Sequence, residues 1–201
     1  MGTQNQTAVP GKVFTVGHSN HPIEDFLQLL SRHNIDVLVD IRSSPYSKFS
    51  PHFNQHNLQE AVKDAGRKYL FLGRELGGKP KDPAFYDEEG YVLYWKIAES
   101  PLFQQGIERL RTGIASYTVA LLCGEENPSH CHRRLLVGRV LSNSGVELLH
   151  IRGDGQVQTE SDLELENAMP AEQMSLFSQP GKDAVWRSTQ SVLRKDRGTV
   201  S

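Results

Sequence analysis

Tyr117-Thr-Val-Ala-Leu-Leu-Cys-Gly-Glu-Glu-Asn-Pro-Ser-His-Cys-His-Arg-Arg-Leu135 is the stretch that decides the fold. Residues 117–122 are apolar and partly β-branched, which reads as a buried strand. Cys123 to Glu126 are polar, Asn127-Pro128 is turn chemistry, and Ser129 is a residue type that caps a following helix. Leu136, Val140 and Leu141 then share a helical face, and Gly145 precedes a second apolar strand at 146–151. Strand, helix and strand in that order and at that spacing make a parallel crossover unit.

The same alternation extends back to the N-terminus. Residues 13–16 form a short apolar strand ended by Gly17. Pro22 suits the first turn of a helix, and Ile23, Phe26, Leu27 and Leu30 follow at helical spacing. Residues 37–41 read as a second strand. Leu58, Ala61, Val62 and Ala65 mark a second helix closed by Gly66, and residues 69–72 a third strand. Residues 74–92, rich in Gly, Pro and charge, read as an excursion, and Pro101 opens the helix that carries Phe103, Ile107 and Leu110. The pattern predicts a three-layer α/β fold, a mainly parallel five-stranded sheet with helices on both faces, over residues 12–152. Periodicity fades after Arg152, so residues 153–201 read as a mostly flexible tail, in which Val185-Trp186 and Val192-Leu193 are able to dock.

Composition narrows the setting. Net charge is −2 over 201 residues, which argues against generic nucleic-acid binding. The charge is uneven: residues 153–181 hold Asp154, Glu160, Asp162, Glu164, Glu166 and Glu172 without any Lys or Arg, whereas residues 182–201 are basic on balance. That leaves a nearly neutral core in which a local basic cleft is allowed. No apolar run approaches the roughly 18 residues of a membrane span. Residues 1–11 lack the basic start and apolar stretch of a signal peptide, so a cytoplasmic location with Cys123 and Cys131 as reduced thiols is expected.

In parallel sheets, ligands sit beyond the carboxyl ends of the strands. The strand ends here are Gly17-His18-Ser19-Asn20, Asp40-Ile41-Arg42-Ser43-Ser44, Gly73-Arg74 through Gly78, and Cys123-Gly124-Glu125-Glu126. Their residue types move protons or hold anions. The Cys123 to Arg133 segment leaves three readings open. Cys123, His130, Cys131 and His132 offer metal ligands. Cys131, near a helix start and beside Arg133, offers a thiol nucleophile of the rhodanese or cysteine-phosphatase kind. In the preferred reading the cysteines are structural, and Arg133, His132 and Glu125 bind and polarise a substrate. In the loop at 43–54, Tyr46, Phe49 and Phe53 interleave with Lys48, His52 and Asn54. Such a loop either stacks a base or sugar or packs as a lid.

The run of Thr15-Val-Gly-His-Ser-Asn20, Leu38-Val-Asp-Ile-Arg-Ser43, Pro51-His-Phe-Asn54, Leu76-Gly-Gly78, Leu121-Leu-Cys-Gly-Glu125 and His130-Cys-His-Arg133 resembles the family called domain of unknown function 488. The resemblance implies a bacterial or archaeal α/β domain and no particular reaction. It points to His18, Asn20, Asp40, Arg42, Asn54, Cys123, Glu125, Cys131, His132 and Arg133 as site candidates. In the tail, Gln173-Met-Ser-Leu-Phe177 resembles the peptide by which bacterial repair and replication proteins bind the sliding clamp, with Gln173, Met174, Leu176 and Phe177 as anchors.

The expectation is therefore a clamp-tethered protein that acts on or recognises nucleic acid or a nucleotide. His18, Asp40, Glu125 and Cys131 are the candidate catalytic groups. Asn20, Arg42, Asn54, Arg74, His132 and Arg133 are the candidate substrate ligands. A thiol enzyme at Cys131 and a non-catalytic nucleic-acid or clamp accessory module are the alternatives. No cofactor is expected, with a divalent metal on Cys123, Cys131 and His132 left open, and no membrane partner.

Overall fold

The computed structural model describes residues 11–167 and 185–192. The chain runs β1 (Lys12–Gly17), α1 (Ile23–Arg32), β2 (Val37–Asp40), α2 (Gln55–Asp64), β3 (Lys68–Phe71), α3 (Gly73–Leu76), α4 (Tyr94–Glu99), α5 (Pro101–Ile114) and β4 (Val119–Cys123). A π-helical turn (Arg133–Gly138) leads into α6 (Arg139–Ser142), and β5 (Glu147–Ile151), β6 (Val157–Thr159) and α7 (Glu160–Asn167) follow. Local chemistry explains several boundaries. Ser100 caps α5 by accepting from the Phe103 N–H, with Pro101 in the first turn. Gly66 ends α2 at φ +73°, a conformation that favours glycine.

The sheet order is β3-β2-β4-β1-β5-β6. Every pairing is parallel except β5 with β6, which is antiparallel. The sheet thus has six strands, not the five expected. The sixth, Val157–Thr159, is too short and too polar to announce itself as a strand. It is held by the ladder to β5 and by α7, whose Leu163 is fully buried. The sheet therefore continues past residue 152, where the sequence reading set the edge of the domain.

Strand alternation divides the apolar side chains into two clusters. Phe14, Val16, Leu38, Ala120 and Leu122 pack with Phe26, Leu29 and Leu30 of α1 and Leu58 and Val62 of α2. Val13, Val37, Val39, Val119, Leu121 and Leu148 pack with α4, α5 and the Leu136, Val137 and Leu141 side chains. The helix after β1 joins the first cluster, and the helical segment after β4 joins the second. Since β1 and β4 are neighbours, their connections part there and leave a crevice at the carboxyl ends.

Residues 185–192 lie against the excursion that precedes α4. Leu93 and Arg187 form an antiparallel bridge, the Ser188 N–H donates to Val92 O at 2.8 Å, and the Val192 N–H donates to Gly90 O at 2.9 Å. Trp186 anchors this strap, donating from Nε1 to Leu135 O at 2.8 Å with the Arg139 guanidinium 4.6 Å over its ring. The docking allowed for this segment is therefore present at Trp186 and Val192, whereas Val185 is exposed and Leu193 lies outside the described residues. Among the described residues no helix is long and apolar enough to cross a membrane.

Candidate functional site

A cavity of about 500 Å³ opens at the carboxyl ends of β2, β4 and β1. His18, Arg42, Cys123, Glu125 and His132 line its floor, with His130, Tyr46, Lys79 and Tyr94 around them and residues 188–192 of the strap along one wall. The backbone keeps these ends together, because the His18 N–H donates to Cys123 O at 3.0 Å and the Ile41 N–H to Leu122 O at 3.2 Å. Two glycines permit the close approach. A Cβ on Gly17 would lie 1.9 Å from Glu125 O, and one on Gly78 would lie 2.5 Å from His132 Cγ.

Asp40, fully buried at the end of β2, accepts from Arg42 Nε (2.9 Å), Arg42 Nη2 (2.6 Å), the Arg42 N–H (3.1 Å) and Tyr69 Oη (2.7 Å). Four donors occupy the carboxylate, so it fixes the Arg42 fork, a role that accounts for all of its bonds. Burial and the neighbouring Asp40 charge push the Tyr69 hydroxyl above its ordinary pKa, so it remains a donor.

His18 stacks on Phe53 with ring centroids 4.3 Å apart. Its Nδ1 lies 2.8 Å from Ser19 O, and a carbonyl only accepts. Nδ1 therefore carries the proton and Nε2 the lone pair. Burial, helped by the Arg42 charge, lowers the pKa to about 4, so the ring is neutral at pH 7.

Beside it stand two thiols, an imidazole and a carboxylate. Cys123 Sγ and Cys131 Sγ both donate to Glu125 Oε2, at 2.9 and 3.2 Å. His132 Nδ1 lies 3.5 Å from Cys123 Sγ and 3.9 Å from Cys131 Sγ, and its Nε2 lies 3.0 Å from Ile41 O. Burial opposes the charge on Glu125, but the bonds from Cys123, its own N–H and Cys131 outweigh it and hold the carboxyl at about 2. Burial, reinforced by Cys123, raises the Cys131 thiol well above the ordinary range. An inert, 1% exposed thiol is a poor nucleophile, which counts against the catalytic role read for Cys131. Both cysteines are free. Cys123, Cys131 and His132 set three ligand atoms within 4.8 Å of one another and could hold a metal.

Six sequence candidates fall outside the cavity lining: Asp40 and Cys131, which stand behind it, and Arg133, Asn54, Asn20 and Arg74. Arg133 is fully buried; it donates from Nε to Thr15 Oγ1 at 3.2 Å, from Nη1 to Glu125 O and from Nη2 to Glu126 O at 2.5 Å. It braces the loop after β4 and is not part of the cavity lining. The reason is that the helical segment starts at Arg133 itself, with Cys131 and His132 before it, so its side chain turns under the loop. Asn54 accepts from the Ser47 N–H at 2.7 Å and so ties the 43–54 loop to α2. Asn20 is exposed and lines a separate depression with His21, Glu126 and Arg152. Arg74 is exposed on α3. Ser43 and Ser44 line the cavity as part of the second strand-end cluster, and Lys79, Tyr94 and the strap line it though no sequence reading placed them there. Only Lys79 carried a signal, as a cation directly after Gly77-Gly78. Gln173, Met174, Leu176 and Phe177 lie outside the described residues.

No curated protein and no solved structure matches the chain. A family model does. The model described as "Domain of unknown function DUF488" matches residues 22–140, which contain β2, β3, β4 and the Asp40, Arg42, Cys123, Glu125, Cys131 and His132 side chains just described. On that match the chain belongs to the DUF488 family.

Proposed function

We propose that the cleft binds and acts on a phosphate-bearing substrate of nucleotide size, with Arg42 and Lys79 holding the phosphate and neutral His18 taking a proton at Nε2. The observation that carries this reading is Arg42, a guanidinium immobilised by a buried carboxylate at the wall of a cavity of about 500 Å³. Lys79 adds a second cation beside it, and the Ser43, Ser44 and Ser47 hydroxyls add uncharged polar groups suited to phosphate oxygens. Tyr46, 66% exposed at the cavity wall, offers a face on which a base can stack. The two apolar clusters support reading the sheet as the middle of three layers.

Binding of mono- and dinucleotides to the full chain, followed by calorimetry, tests the reading. Lys79→Ala and Arg42→Lys are expected to weaken binding roughly tenfold each, the size of a charge-assisted hydrogen bond. Absence of saturable binding to folded wild-type protein would rule the substrate class out.

Tethering to a bacterial sliding clamp through residues 173–177 is the second part of the proposal and rests on the motif itself. Buried Cys131 leaves the thiol-enzyme alternative with less support than the phosphate reading. Recognition without catalysis differs from the enzyme reading in one outcome, namely nucleotide binding with no turnover.

A further inference from the structure

We propose that Cys123, Cys131 and His132 form a zinc site with an open fourth position facing the cavity, where Glu125 serves the metal-bound water as a base. Three features of the geometry converge on this. The first is lone-pair direction. Both thiols donate to Glu125 Oε2, which leaves their sulfur lone pairs available beside His132 Nδ1. Nε2 of the same ring must be the donor to Ile41 O, which leaves a lone pair at Nδ1 of the neutral imidazole. Three lone pairs converging on one point call for a cation.

The second is distance. Tetrahedral zinc, with bonds of about 2.3 Å to sulfur and about 2.0 Å to nitrogen, sets sulfur and nitrogen ligands about 3.6 Å apart. The two sulfur–Nδ1 separations here are 3.5 and 3.9 Å, and all three ligand atoms lie within 4.8 Å of one another. Little must move for the ion to enter. The third is support around the ligands. The Nε2–H···O=C bond to Ile41 fixes the tautomer and aim of the ring, the usual outer partner of a metal-bound histidine. Gly78 clears the space that the ring fills.

Two thiolates and an imidazole suit zinc, and three protein ligands with an open position are the catalytic rather than the structural pattern. Cys123 and His132 line the cavity, so the open position is accessible to a ligand there. Once the thiols have released their two protons to solvent on binding metal, they no longer donate to Glu125. The carboxylate, two residues beyond Cys123, is then available to take one proton from the bound water. That leaves metal-bound hydroxide as the nucleophile and Glu125 as the carboxylic acid. A His/Cys/Cys set with a non-ligand Glu beside it is the arrangement zinc deaminases of nucleobases use to activate water. The water-activation step rests on the reading of the cleft as a substrate site, but metal binding does not, and the experiment separates them.

The full chain, purified under reducing conditions and stripped with a chelator, is expected to take up one Zn²⁺ per chain by elemental analysis. With Co²⁺ it should give the intense visible bands of a tetrahedral site and a thiolate charge-transfer band. Cys123→Ser, Cys131→Ser and His132→Gln should each lose stoichiometric uptake. Glu125→Gln should keep both the metal and the tetrahedral spectrum, because Glu125 is not a ligand. Where a variant fails to fold, competition between the wild-type chain and a chromophoric chelator for one equivalent of zinc gives the same answer. Weak six-coordinate cobalt, or a wild-type chain that takes no zinc from the chelator, would overturn the site. Loss of metal in Glu125→Gln would make the site a closed four-ligand one and overturn the water-activation step. Stoichiometric zinc without nucleotide binding would leave the metal standing and remove only the proposed substrate.

Discussion

At the scale of single residues, the polar groups divide by what surrounds them rather than by type. His18 and Asp40 both end central strands, yet one is a neutral base facing the cavity and the other a saturated clamp on Arg42. The His18 shift has a measurable consequence. Its pKa falls from 6.5 to about 4 on folding, so the unfolded chain takes up the proton first as pH drops. Stability from this group is therefore complete above about pH 6.5 and is lost between there and about pH 4. At about 1.4 kcal/mol per unit, the loss amounts to about 3 kcal/mol. Glu125, depressed from 4.5 to about 2, adds its own loss below about pH 4.5. Denaturant titrations at several pH values should show His18→Gln flattening the upper window and leaving the lower one, and an unchanged upper slope would contradict the assignment. Arg133 is expected to act through the fold. Arg133→Met strands the Glu125 and Glu126 carbonyls and should cost about 2 to 4 kcal/mol in the same titrations. Arg133→Lys should not rescue it, because an ammonium cannot span both carbonyls and Thr15.

At the scale of elements, the strap at 185–192 and the π-helical turn do the positioning. The turn at Arg133–Gly138 sits directly after Cys131 and His132, and such turns recur at functional sites. The strap adds the wall formed by residues 188–192 and is held by Trp186 together with its backbone bonds to Val92 and Gly90 and the Arg187–Asp87 ion pair. Trp186→Ala removes its hydrogen bond to Leu135 O, its contact with Tyr94 and its cation–π partner Arg139. It is expected to destabilise the chain by about 2 kcal/mol, below the usual cost for a fully buried Trp because this ring is only partly covered. Limited proteolysis should then cut near the strap at protease levels that spare the wild type. Resistance equal to wild type would mean that contacts other than Trp186 hold the strap.

At the scale of the whole molecule, the proposal joins a catalytic-type cleft to a tail peptide that binds elsewhere. If residues 173–177 engage the clamp, a peptide of that segment should bind purified bacterial clamp in the micromolar range. Leu176→Ala with Phe177→Ala should abolish that binding, as expected where a few anchors carry the affinity. Thermal stability of the full chain should stay unchanged in the double variant. A clear drop would place the triplet against its own domain, and no peptide binding would end the tether.

The sequence by itself determined the strand and helix alternation from β1 to β5. Local pattern settles it: β-branched runs for β1, β2 and β4, helical spacing at Phe26 to Leu30 and Phe103 to Leu110, and Pro and Gly at the boundaries. It also placed His18, Arg42, Cys123, Glu125 and His132 at one edge, because parallel crossovers put all such strand ends on the same side. What only the tertiary structure decided was partnership. Asp40 saturated by Arg42 and Tyr69, Arg133 turned under the β4 loop, β6 completed by β5, and the strap seated on Val92 and Leu135 all depend on neighbours distant in sequence. A carboxylate or guanidinium is the same chemical group wherever it stands in a sequence; the number of donors or acceptors that folding brings within about 3 Å of it determines whether it binds substrate or holds the fold.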